Sequence, residues 1–148
     1  MEKRFMFRAW DKEENMMRRV VALNWAELWV QTEYVVGKGY PGERHNFFDN
    51  DDSCNRFILM QCTGNLAAKS YRGESEDDRL VWEGDILRHI RDGRLFSVIW
   101  DSDDGRFLGV NGNGSERRLL YISDQLQKYA EVAGNIHEHP ELLGGGQG

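Results

Sequence analysis

Residues 80–110 read LVWEGDILRHIRDGRLFSVIWDSDDGRFLGV, and this stretch decides the fold class. Gly84-Asp85 precede the alternating segment from Ile86 to Ile90, whose period of two suits a strand with one buried face. Asp92-Gly93 is a tight hairpin signal, and Leu95 to Trp100 is the returning strand. Asp101 to Gly105 reads as a second turn, and Arg106 to Val110 as a third strand. Short strands joined by Gly- and Asp-rich turns predict a mainly β, β-rich α+β chain.

Working outward, Arg4 to Asp11 and Met16 to Leu23 flank a polar turn at Lys12–Asn15, predicting an N-terminal β-hairpin. In Asn24 to Val36, Trp25, Leu28 and Trp29 have helical spacing before a strand-like end, so a turn of helix running into a strand is expected. Gly37 to Ser53 reads as a long loop, and a loop of that length in a compact domain is expected to be functional or mobile. Phe57 to Gln61 is a strand, and the acidic stretch 65–79 reads as a solvent-exposed insertion. Ser123 is placed to cap one short helix over 124–130, Glu131 to His137 is a final strand, and Pro140 stops it. The expected architecture is one domain over residues 4–143. An N-terminal hairpin part (4–64) precedes the insertion, and a C-terminal small bent sheet or SH3-like barrel follows over 80–143. Residues 144–148 form a glycine-rich tail.

A chain of 148 residues, 40% hydrophobic and 30% charged, is long enough to bury a core without staples. Cys54 and Cys62 fit neither a redox pair nor a zinc pattern, and are expected as reduced thiols. The N-terminus has no signal-peptide apolar core and no apolar run approaches membrane-spanning length, which predicts a cytoplasmic protein. The net charge is −6, and residues 75–148 carry 14 acidic against 8 basic side chains. Such a surface repels phosphate backbones and argues against sequence-independent nucleic-acid binding.

Four stretches, FRAWDKEENMM (7–17), FILMQCTG (57–64), VWEGDIL (81–87) and EVAGNIHEHPELL (131–143), together resemble the YopX family of small phage and prophage proteins. The resemblance implies a β-rich fold, a phage origin and expression in a bacterial cytoplasm, and it carries over no enzymatic activity. The chain departs from the family pattern in its long acidic link between Gly64 and Trp82, in Cys62, and in His137 and His139.

Candidate sites are tested by position. His137 and His139, spaced i, i+2 around Glu138, would share one face of a strand, but no third ligand is evident and no metal is assigned. Asp49, Asp51 and Asp52 fail the calcium-loop spacing, with Cys54 at the glycine position and Met60 at the terminal glutamate position. Asp101, Asp103 and Gly105 fail it too, with Arg106 and Gly112 there. No nucleotide-loop, hydrolase, zinc-protease or kinase motif occurs, so no catalytic residue and no cofactor is assigned. The interaction candidates are Arg8, Trp10, Asp11, Gln61, Thr63, Trp82, Asp85 and Arg88, with Glu83 and Asn135 behind them. Each also has a plain structural reading as a turn, bulge or packing residue.

Three functions remain open. The first is a non-catalytic accessory protein that engages a host protein, for host modulation or counter-defence. The second is a homo-oligomeric binder of a nucleotide signal, with Trp10 and Arg8 or Trp82 and Arg88 stacking a base and pairing a phosphate. An enzyme using Asp85, Glu83 or His137 ranks last.

Overall fold

The computed structural model describes residues 6–46, 56–111 and 117–144. Cys54, the cluster Asp49, Asp51 and Asp52, the second half of the expected 37–53 loop, the Gly112–Gly114 run and the tail from 145 lie outside the described residues. The protein is mainly β, with two sheets among the described residues. Its chain divides into two compact units, Met6–Met60 and the residues from Gln61 onward. No helix among the described residues is long and apolar enough to cross a membrane.

In the first unit, β1 (Phe7–Asp11) and β2 (Met16–Asn24) form the expected hairpin, with Ala9 opposite Arg18 and Asp11 opposite Met16. Asn15 closes its turn with φ +52, a left-handed conformation that asparagine tolerates. β3 (Trp29–Thr32) pairs with β2, and the two sides of the connection are joined by a turn rather than the expected turn of helix. Leu28 takes φ +61 there, which breaks a helical run. β4 (Arg44–Asn46) lies within the segment expected as loop and pairs with β3. The order is β4-β3-β2-β1, with the start of β5 (Phe57–Leu66) beside β1. Ala9, Val30 and Phe57 are the buried centre of this unit.

In the second unit the remainder of β5 pairs with β7 (Leu80–Trp82), Cys62 opposite Trp82. The other strands are β6 (Lys69–Ser70), β8 (Asp85–His89), β9 (Leu95–Asp101), β10 (Arg106–Asn111), β11 (Arg118–Tyr121) and β12 (Ala130–Asn135). They form one sheet in the order β11-β10-β9-β8-β12-β6. Among the described residues that order ends on two edges, so of the two expected forms they build the open sheet and close no barrel.

Register explains the core. Leu87 faces Phe96 and Val132, and Val98 faces Gly109, which in turn faces Leu120. These side chains fall on one face and bury together with Val81, Leu126 and Ala130. Each large aliphatic among them contributes about 1.5–3 kcal/mol of transfer free energy. At Gly109 a Cβ would stand 3.1 Å from both Leu120 and Phe96, so only glycine lets these two approach.

The stretch 65–79 is more than a solvated insertion. Ala67 is fully buried, β6 lies beside β12, and α1 (Glu76–Arg79) is capped by the Ser75 side chain. The helix expected over 124–130 contracts to a 3-10 turn, Leu126–Lys128. Ser123 Oγ accepts the Gln125 N–H two residues on, a local turn that competes with helical capping. The final strand stops at Asn135, and α2 (Glu141–Gly144) follows.

Candidate functional site

Three polar side chains from the family-like stretches, Asp11, Asp85 and Asn135, are completely buried. Each organises a turn and is held by a partner distant in sequence. Asp11 ends β1, and its Oδ1 accepts the Glu13 and Glu14 N–H groups at 3.1 and 3.2 Å. Arg56 grips the same carboxylate with two hydrogen bonds of 2.8 Å, and Arg18 Nε donates to Oδ2 at 2.9 Å. Burial raises the Asp11 carboxyl pKa. The Arg56 hydrogen bonds, the Glu14 N–H and the charges of Arg56 and Arg18 outweigh it, holding the group below the usual aspartate range.

Asp85 begins β8 after Gly84, whose φ of +89 makes the sharp turn from β7 possible. Its Oδ2 accepts the Trp82 N–H at 2.8 Å, and its Oδ1 takes Arg72 Nη1 at 3.3 Å. Arg72 also donates to the Asp78 and Leu80 carbonyls, so one guanidinium ties α1, β7 and β8 together.

Asn135 lies opposite Asp85 in the sheet. Its Oδ1 accepts the His137 and Glu138 N–H groups at 3.1 and 2.8 Å, while its Nδ2 donates to the Tyr71 hydroxyl at 3.0 Å. Burial pushes the Tyr71 hydroxyl pKa up, and the Glu138 carboxylate adds to that. The expected histidine face does not form, because His137 and His139 follow the end of the strand. His139 Nδ1 accepts the Asn135 N–H at 3.2 Å, and its ring packs edge-on against Tyr71. Among the described residues no group of three or more His, Cys, Asp or Glu side chains is placed to hold a metal.

The other candidates also take positions within the framework. Gln61 and Glu83 join β5 to the β7–β8 turn, Gln61 N–H to Glu83 Oε1 and Glu83 N–H to Gln61 O. Thr63 Oγ1 donates to the Val81 carbonyl at 2.8 Å. Arg88 faces Glu131 across β8 and β12 and forms a 3.0 Å ion pair with it. Arg8 is buried in β1 opposite Arg19, and Trp10 is half-buried opposite Met17. Trp82 is half-buried at the end of β7, with its N–H on Asp85. Asp11 belongs to the first unit, whereas Gln61, Thr63, Trp82, Asp85 and Arg88 belong to the second.

A different surface presents large side chains outward. After β3, Lys38 N–H bonds the Val35 carbonyl, and Glu43 N–H bonds the Tyr40 carbonyl. Gly37 and Gly42 occupy the third positions of these two turns with φ +84 and +79. Pro41 at the second position of the latter matches the type II pattern. The pair of turns exposes Tyr34 at 42%, Val36 at 86% and Tyr40 at 64%. Lys38 anchors them to the β1–β2 turn through Glu14 at 2.7 Å. The Val-Gly and Pro-Gly dipeptides signal these turns in the sequence, but nothing local in them signals the anchor.

Compared with known proteins, residues 6–144 match the sequence profile described as YopX protein. The chain is similar to the crystal structure of protein EF1440 from Enterococcus faecalis. The two are 27% identical over 93% of this chain and 96% of that one, with a TM-score of 0.57. No curated protein matches the chain.

Proposed function

The chain belongs to the YopX family, and we propose that it is a non-catalytic accessory phage protein, a binding module that engages a host protein in the bacterial cytoplasm. On this reading it modulates the host or counters a defence. The observation that carries the reading is the outward display of Tyr34, Val36 and Tyr40 on two anchored turns. Aromatic anchors on a rigid loop are the usual currency of protein recognition, since they bury large areas at low ordering cost. The net charge of −6 favours a basic partner and speeds encounter with it.

The alternative, a homo-oligomeric binder of a nucleotide signal, draws less support. Arg88 already pairs with Glu131, and Arg8 is buried.

Tagged protein produced in a bacterial host is expected to recover a reproducible protein partner. The double substitution Val36→Asp with Tyr40→Ala should lower that recovery about tenfold or more, the equivalent of one lost anchor. The circular dichroism should stay unchanged, because both side chains face solvent. Recovery of no reproducible partner, or equal recovery by the double variant, would count against the proposal.

A further inference from the structure

We propose that the β8–β9 turn end of the second unit's sheet is a docking site for a short acidic, partly apolar segment of a protein. The inference does not rest on the turns after β3. Strand order and direction put charge of opposite sign at the two ends of this sheet. Asp85 at the start of β8, Asp101, Asp103 and Asp104 from the end of β9 toward β10, and Glu138 after β12 share one end. At the other end β8 turns into β9 through Arg91 and Arg94, β12 is entered from Lys128, and β6 begins at Lys69.

The cations are held as a row. The Ile90 N–H donates to the Tyr129 carbonyl at 2.9 Å, which carries the β8–β12 ladder one step past His89 and Ala130 and sets Arg91 and Lys128 just beyond it. Lys69 is the parallel neighbour of Glu131 on the far side of β12. His89 Nδ1 accepts the Arg91 N–H at 3.2 Å, and the His89 ring stacks on Tyr129, so the turn is fixed to the entry of β12. The acids of this end are engaged. Asp92 Oδ1 accepts the Arg94 N–H at 3.0 Å, and Glu131 pairs with Arg88 at 3.0 Å. Among the described residues no ion pair engages Lys69, Arg91 or Lys128, and all three are exposed.

Fixed, unpaired cations attract carboxylates at low ordering cost, and a guanidinium fork grips them in pairs. Two features favour a peptide over a nucleic acid. Ile90 is 51% exposed among the cations and offers an apolar contact that a phosphate backbone does not use. The row is also short. From β9 to β6 it crosses roughly 14 Å at the usual strand spacing, the length of about four residues of extended chain. A longer polyanion would run on over a protein whose net charge is −6.

Fluorescence anisotropy of a labelled Glu-Glu-Leu-Glu-Glu-Leu peptide tests this on the intact chain. The expected result is saturable binding at low salt that weakens as salt rises. Arg91→Glu with Lys128→Glu should weaken it about tenfold or more, with circular dichroism unchanged. Arg106→Glu, the same charge change at the opposite end of the sheet, should leave it within about twofold of wild type. Should the double reversal fail to fold, Arg91→Ala with Lys128→Ala takes its place and should still weaken binding several-fold. The proposal is overturned by no peptide binding at low salt, by wild-type binding in the folded double variant, or by an equal loss in Arg106→Glu. Tighter binding of single-stranded oligothymidylate than of the peptide overturns it as well, in favour of a nucleic acid.

Discussion

Asp11→Ala is expected to destabilise the protein by about 3–5 kcal/mol, the usual cost of removing one partner from a buried ion pair. The carboxylate is fully buried, and the Arg18 side chain beside it is only 4% exposed, so its loss strands a desolvated cation. The variant also frees two turn amides and the double grip of Arg56. Asp11→Asn keeps an oxygen for the Glu13 and Glu14 N–H groups and should recover part of the loss, which separates turn from charge. Urea denaturation followed by circular dichroism measures both. A cost within the 0–1 kcal/mol typical of exposed pairs would show that the cluster is solvated.

The same carboxylate gives a pH signature. Its pKa is depressed on folding, so its contribution is fully present above the unfolded value and is lost as pH falls through the folded one. Wild type should therefore lose stability through the acidic range below the ordinary aspartate value. Asp11→Asn should lack that component, and the two curves should converge in acid.

Asp85→Ala is the second large effect, expected at about 3 kcal/mol, the lower end for a broken buried pair. The Arg72 side chain is 21% exposed and finds some water, which moderates the cost. The variant leaves the Trp82 backbone N–H without its acceptor at the turn from β7 to β8. Arg72→Lys should also destabilise, because an ammonium cannot reproduce the planar fork that reaches Asp85, Leu80 and Asp78 together. Asp85→Asn should fall between wild type and Asp85→Ala in the same denaturation series. Equal stability of Asp85→Ala and wild type would remove this turn from the framework.

Much of the local structure was legible in the sequence. Period-two patterning and Asn15 predict the first hairpin, Asp92-Gly93 predicts the β8–β9 turn, and Gly84-Asp85 and Gly134-Asn135 predict bends. What local pattern cannot carry is the far partner. Arg56 reaches Asp11 across 45 residues, and Tyr71 reaches Asn135 across 64. The short strands β4, β6 and β11 have too few residues to display alternation, and all three end their sheets. The histidine pair was misread for a definite reason. Asn135 Oδ1 captures the next N–H groups and turns the chain off the strand, so i, i+2 spacing no longer means a shared face.

The candidate residues thus divide by role. Polar groups in the family-like stretches build the turns, and the surface offered to a partner lies on the loop after β3, within reach of the segment that sequence length had marked. Amide hydrogen exchange at Glu14, Trp82 and Glu138 tests the first half of that account most directly, because these amides sit in a turn or, for Trp82, at the strand end that enters one, and donate to Asp11, Asp85 and Asn135. The account predicts that they exchange as slowly as amides of the central strands. Exchange at the rate of open surface turns would contradict it.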